Sequence, residues 1–340
     1  MALAERRLSR RRARLNARAP RSLTGVARRE PEAREDFPHG FHLSAADERL
    51  LRGPVPIHAL RWAAAAVGPE AAVVSCRALA GGTSSAVHEL EVIDAEGRHH
   101  RLVLRRFVRR DWLAQEPDVA THEAAALTAV APAPVPTPTL VASDPDGSMV
   151  GVPAILMTML DGEVDWDPPE LDDFLRRLAQ ALELIHRIPV PADGSLPPYR
   201  PYAVQLRRPP AWATDPDVWL RAVALAKRPV PSAERVLIHR DYHPGNVLWR
   251  DRRVTGVVDW VNAGVGSPWA DVGHCRMNLA GRFGQPAADR FESLYRAVSA
   301  RDDEYSPYWD AVASLGGFDE ASGSLHLNAE RFLAAALSRL

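Results

Sequence analysis

The chain is expected to fold as an α+β protein with a β-rich N-terminal lobe and a mainly helical C-terminal lobe. Three observations predict this. Residues 72–79, 86–93 and 101–108 are apolar runs rich in β-branched residues and separated by turn-forming segments. Beyond Asp161-Gly162 the apolar spacing becomes helical, with Leu171, Phe174, Leu175, Leu178, Leu182 and Ile185 on one face. At 340 residues, 46% hydrophobic and 25% charged, the chain can bury a large core in one or two domains.

Residues 1–38 are rich in arginine and poor in apolar groups, and read as a disordered extension or, alternatively, a nucleic-acid or membrane arm. The N-terminal lobe, residues 39–160, opens at Ser44, a helix cap followed by Asp47 and Glu48 in the first turn. A second helix covers 56–66. The three strands follow, the last two joined by a turn at Asp94-Ala-Glu-Gly97. A helix over 119–130 stops before Pro132, Pro134, Pro136 and Pro138. Strands at 139–143 and 152–159 flank a turn at 144–147. In the C-terminal lobe, residues 161–340, helices are expected at 171–188, 215–227, 287–299 and 326–340, with a loop or insertion in the Pro-rich stretch 189–213.

The formal net charge of −1 leaves no global electrostatic footprint for nucleic acid or anionic lipid. Cys76 and Cys275 lie far apart, with neither disulfide nor zinc spacing, which suits a reducing cytoplasm. No apolar run approaches ~20 residues, so no membrane helix is expected, and the N-terminus lacks a secretory h-region. Lys227 is the only lysine, so any task usually given to lysine falls to arginine.

The segment from His239 to Trp260 carries the chemistry. His239, Asp241 and Asn246 stand at H-x-D-x-x-x-x-N spacing, and Asp259 follows a predicted hairpin, 247–250 with 254–258. Residues entering the first strand and leaving the second face each other, so Asn246 and Asp259 meet at the open end. A neutral amide oxygen and a carboxylate make a partial shell for Mg²⁺. Asp241, on the preceding loop, is placed to accept or orient a hydroxyl proton. Together these residues predict phosphoryl transfer. His239 and His243, four apart, also raise a metal site, but Pro244-Gly245 opposes the helix that it needs. His239 is expected instead to pack under the loop.

This segment resembles the aminoglycoside phosphotransferase and choline kinase-like family, a small-molecule branch of the protein-kinase-like fold. The likeness is strongest over 236–280. Asp259 is followed by Trp260 rather than Phe-Gly, and no activation segment fits before Asp271. The resemblance implies a nucleotide-covering turn at Gly81, Gly82 and Thr83, phosphate contact by Arg105, and Glu123 as its helix partner. It implies a hinge whose Thr158 and Leu160 backbone groups meet the adenine edge, and a structural brace at Asp271, for which an ordinary helix cap is the competing account. Two departures stand out: Val261-Asn262 follows Asp259-Trp260 where many members carry Glu, and Arg105 replaces the more usual lysine.

The expected activity is Mg²⁺-dependent transfer of the γ-phosphoryl group of ATP, or of GTP, to a hydroxyl of a small molecule, an aminoglycoside-type antibiotic or a related metabolite. Candidates for the acceptor wall are Trp269, His274, Arg276, Asn278, Tyr305, Tyr308, Trp309 and Asp310, with packing as the alternative role of the aromatics. The competing reading is a catalytically silent nucleotide- or partner-binding relative.

Overall fold

Ser44 begins the first helix as its sequence context requires, its hydroxyl accepting the Asp47 N–H at 3.1 Å. The computed structural model describes residues 44–79, 84–201, 209–210, 212–316 and 324–340. The expectations for 1–38 and for Gly81, Gly82 and Thr83 lie outside the described residues.

Helices α1 (Ala45–Arg52) and α2 (Ile57–Val67) precede strands β1 (Ala72–Ala78), β2 (Ala86–Ile93) and β3 (His99–Arg106). Asp94 shapes the β2–β3 turn, accepting the N–H groups of Glu96 (3.0 Å) and Arg98 (2.9 Å). A short helix α3 (Arg110–Gln115), too brief to show periodicity in sequence, leads to α4 (Val119–Val130). Strands β4 (Leu140–Asp144) and β5 (Ala154–Thr158) complete an antiparallel sheet of order β1-β2-β3-β5-β4.

Alternation on β3 and β5 divides the sheet into two working faces. Leu102, Leu104, Ala154 and Leu156 join Ala59 and Ala63 of α2 in a small core. Ile155 and Met157 turn the other way, into the large core with Val119, Ala120 and Leu127 of α4. Arg105 therefore faces α4, and Arg106 shares the face of Leu104.

The remaining strands are β6 (Glu163–Val164), β7 (Val236–Ile238), β8 (Val247–Arg250), β9 (Arg253–Val257) and β10 (Gly264–Gly266). The helices are α5 (Leu171–His186), α6 (Pro216–Ala226), α7 (Pro268–Phe283), α8 (Gln285–Ser299), α9 (Tyr308–Ala313) and α10 (Ser324–Leu337). The β8–β9 turn is Asp251-Arg252, with φ of 50° and 61°, the left-handed pair that a two-residue hairpin favours. β9 thus starts one residue earlier than expected. Gly162, at φ 118°, lets the chain cross this hairpin, since a Cβ there would lie 3.0 Å from the Trp249 carbonyl.

Apolar spacing did not mark α7 as a helix, although the resemblance and the cap reading both set a helix start at Asp271; the helix begins at Pro268. It is buried on most sides, so its apolar residues mark no single face, and Asp271 and Arg276 lie inside it fully buried. The described residues form one compact unit, and no helix among them is long and apolar enough to cross a membrane.

Candidate active site

β7 ends at Ile238, and Arg240 then adopts φ 68°, a left-handed conformation unfavourable for a residue with a Cβ. Asp271 of α7 holds that turn. Its carboxylate accepts the backbone N–H groups of His239 (2.7 Å) and Arg240 (2.5 Å), and His186 Nε2 lies 3.0 Å away. A fully buried charge is thereby met by three donors. The α7 N-cap is Ser267, whose hydroxyl accepts the Trp269 N–H, so capping does not account for Asp271.

His239 is fully buried beneath the loop. Its Nε2 lies 2.9 Å from the Val258 carbonyl, and its Nδ1 accepts the Asp241 N–H at 3.3 Å. The carbonyl demands a donor, which places the ring proton on Nε2. With both nitrogens engaged, His239 is no metal ligand, and the His239–His243 metal reading falls. Pro244–Asn246 form a single 3-10 turn, which the Pro-Gly pair suggests, and Tyr242 ties the loop to α5 by donating to the Leu178 carbonyl at 2.8 Å.

The loop presents the Asp241 carboxylate. Its Oδ1 is 2.9 Å from His274 Nε2, and its Oδ2 accepts the Asn246 Nδ2–H at 3.3 Å. Burial alone would raise this carboxyl; the hydrogen bond from His274, with the other imidazoles nearby, outweighs it and holds the group below the usual carboxylate range.

Pairing of Val247 with Val257, and of the Asn246 carbonyl with the Val258 N–H (2.9 Å), brings Asn246 and Asp259 to the same end of the β8–β9 hairpin. Asn246 Nδ2 also donates to the Asp241 carbonyl at 2.9 Å, which turns its own amide oxygen away as a possible ligand. Asp259 is left-handed (φ 68°, ψ 58°), and its side chain keeps 34% of its exposure. One of its oxygens meets Arg105; the other has no partner among the described residues. An amide oxygen and a part-exposed carboxylate oxygen fit a magnesium ion, which keeps waters and takes its other ligands from phosphates.

Arg105 crosses from β3 to this hairpin. Its Nε donates to Ser85 Oγ (2.8 Å), and its Nη1 to Glu123 Oε1 (2.7 Å) and Asp259 Oδ1 (2.8 Å). Burial opposes its charge, but the two carboxylates outweigh that and raise its pKa. Glu123 is fully buried; burial pushes its carboxyl up, and Arg105 opposes that rise.

At the hinge, the Thr158 N–H is committed to the Thr139 carbonyl (2.9 Å), so a base edge arriving there can use the Thr158 carbonyl but not its N–H. The Leu160 side chain packs over Gly256 of β9.

The expected acceptor wall needs correction. Arg276 and Asp310 are fully buried partners of one another, and Trp269, Tyr308 and Trp309 are core residues. Asn278 bonds the carbonyl of His274 within α7. Of that set, only His274 reaches Asp241 among the described residues.

Comparison with known proteins agrees with this geometry. The model of the phosphotransferase enzyme family matches residues 75–312. Comparison with curated proteins returns no significant match. Among solved structures, a putative aminoglycoside phosphotransferase from Ralstonia eutropha is 16% identical at a TM-score of 0.55, covering 78% of this chain and 93% of that one. A macrolide 2'-phosphotransferase from Brachybacterium faecium, as apoenzyme, is 18% identical at a TM-score of 0.51, covering 81% and 97%. A thermostable mutant aminoglycoside phosphotransferase, in ternary complex with ADP and hygromycin B, is 17% identical at 0.51, covering 79% and 95%. At such identities the likeness is one of fold, the protein-kinase-like fold. The family match, running from β1 into α9, covers well over half of the sequence, and the chain belongs to the phosphotransferase enzyme family, whose members are small-molecule phosphotransferases.

Proposed function

We propose that this protein transfers the γ-phosphoryl group of Mg-ATP, or Mg-GTP, to a hydroxyl of a small molecule, with residues 39–160 as the nucleotide lobe and 161–340 as the catalytic and acceptor lobe. The observation that carries the proposal is the convergence of Asn246 and Asp259 at one hairpin end, beside a loop that presents an ionised Asp241.

Asn246 and Asp259 would hold Mg²⁺, which when bound offsets charge on the phosphate oxygens. Arg105, braced by Glu123, contributes a fixed positive charge to the phosphates and orients Asp259. The left-handed turn at Arg240, held by Asp271, sets the height of Asp241. Asp241 accepts a hydrogen bond from the acceptor hydroxyl, aligns it, and takes its proton as the new O–P bond forms and the bond from the γ-phosphorus to the β,γ-bridging oxygen breaks, releasing ADP or GDP. Thr158 and Leu160 meet the base, with the Thr158 carbonyl as its polar contact.

The neighbour in complex with hygromycin B and the macrolide 2'-phosphotransferase make hydroxylated antibiotics the first acceptors to try. The test is a phosphorylation screen with Mg-ATP and Mg-GTP over aminoglycosides, macrolides, choline, sugars and amino alcohols. Asp241→Asn is expected to lower transfer by about 10²–10⁴-fold while nucleotide still binds. Full turnover by that variant overturns the assignment. Nucleotide binding with no transfer to any acceptor favours the catalytically silent reading instead.

A further inference from the structure

Asp241, His243 and His274 place ligand-type atoms within 4.8 Å of one another, a spacing open to a transition metal. The His243 ring speaks against that use. Its Nδ1 accepts the Gly245 N–H at 3.1 Å, so the neutral ring carries its proton on Nε2, the nitrogen 4.0 Å from Asp241 Oδ1. Burial lowers this imidazole to about 4, which keeps it neutral near pH 7. A protonated ring nitrogen does not ligate a metal. His243 also stands beyond hydrogen-bond range of the carboxylate, which leaves His274, at 2.9 Å, as the imidazole in contact.

Helix α7 accounts for that contact. Asp271 and His274 are three residues apart and share one helix face. The first grips the loop's backbone at His239 and Arg240, and the second grips the loop's reactive side chain. The His274 ring lines a small cavity of about 10 Å³ together with Tyr199, Arg240, Ala270 and Trp309, room for about one water.

We infer that His274 is a positioning residue for Asp241, its Nε2–H fixing Oδ1 so that the carboxylate presents its remaining lone pairs to the acceptor hydroxyl. The inference rests on the transfer reading proposed above. A carboxylate's terminal torsion is broad and roughly two-fold, so a side chain held at one oxygen is oriented and one released is not. The Asn246 contact at 3.3 Å is the weaker restraint.

Two variants of the full-length protein test this. His274→Leu fills space without a donor, and His274→Gln restores an N–H near the position of Nε2. The probe is hydrolysis of Mg-ATP without added acceptor, water taking its place, with nucleotide affinity measured by calorimetry. His274→Leu is expected to lower kcat about ten- to a hundredfold, as small misplacements of reacting groups do, with the KM for ATP unchanged. His274→Gln is expected to recover most of the loss. Retained kcat in His274→Leu, or equal loss in both folded variants, overturns the inference. The ring-nitrogen resonances of His274 supply a readout independent of turnover. They are expected to shift in Asp241→Asn, and unmoved resonances rule the contact out. A wild-type protein that turns over no Mg-ATP removes the transfer reading, while these resonances still decide the contact.

Discussion

Two buried arginines, Arg105 and Arg276, look alike in charge and burial and differ in what they leave open. Arg276 Nε and Nη2 both donate to Asp310, at 2.8 and 3.0 Å, while Nη1 donates to the Ala288 carbonyl and Glu292, and Nη2 also to Asp289. Its chief partner, Asp310, has no exposed surface. Arg105 uses Nε and one Nη1 among the described residues, and one partner, Asp259, is a third exposed. Both guanidiniums are held above their ordinary pKa by their carboxylates, against the pull of burial. Perturbed electrostatics therefore does not identify the site; an incomplete set of partners that includes a part-exposed carboxylate does.

The largest expected effect falls on the closed cluster. Arg276→Met should lower unfolding stability by about 3 kcal/mol or more, because Asp310 is left buried with fewer donors. Adding Asp310→Leu removes the stranded charge and should recover most of that loss in chemical denaturation. Nucleotide affinity of the folded variants should not change. A large drop in affinity would break the distinction between the two clusters.

Next in size is the open cluster. Arg105→Met should weaken Mg-ATP binding about ten- to a hundredfold, the scale of lost hydrogen bonds to charged groups. Stability should fall less than in Arg276→Met, since burial already raises the Glu123 carboxyl and a proton can replace the missing cation. Here the double variant with Glu123→Gln should not restore nucleotide binding in calorimetry. Restoration would mean that Arg105 is as structural as Arg276.

The same contrast explains what the sequence disclosed. The Arg105–Glu123 pair was legible only through the family resemblance. The meeting of Asn246 with Asp259 was legible because hairpin pairing is a local rule with fixed geometry. Most helices and the five strands of the large sheet were legible for the same reason. The fate of α7 was not. Its face is set by tertiary burial, so Arg276 and Asp310 looked like acceptor-wall residues when they are each other's partners. His274 appeared in that same wall, but its contact with Asp241 depends on where α7 crosses the loop, which no local pattern records.

The smallest effect concerns a charge cluster away from both. Asp94 accepts from Glu96 and Arg98 N–H groups, from Arg98 Nε (2.8 Å), and lies 2.8 Å from His100 Nε2. The hydrogen bond with His100, with help from Arg98 against desolvation, holds its carboxyl well below the usual range. The folded protein thus binds this proton less readily than the unfolded chain. Stability from Asp94 is complete above the unfolded value of about 4 and is lost as pH falls through the lower folded one. Asp94→Asn should therefore flatten the fall of Tm between about pH 5 and pH 3 while leaving Mg-ATP affinity untouched. Asp94 shapes a turn on the far end of β2 and β3 from Arg105, so its carboxylate, like that of Asp310, is fully occupied by its own neighbours. A loss of nucleotide affinity in Asp94→Asn would show that the sheet transmits charge changes along its strands, and the contrast between open and closed clusters would then have to be redrawn around the whole lobe.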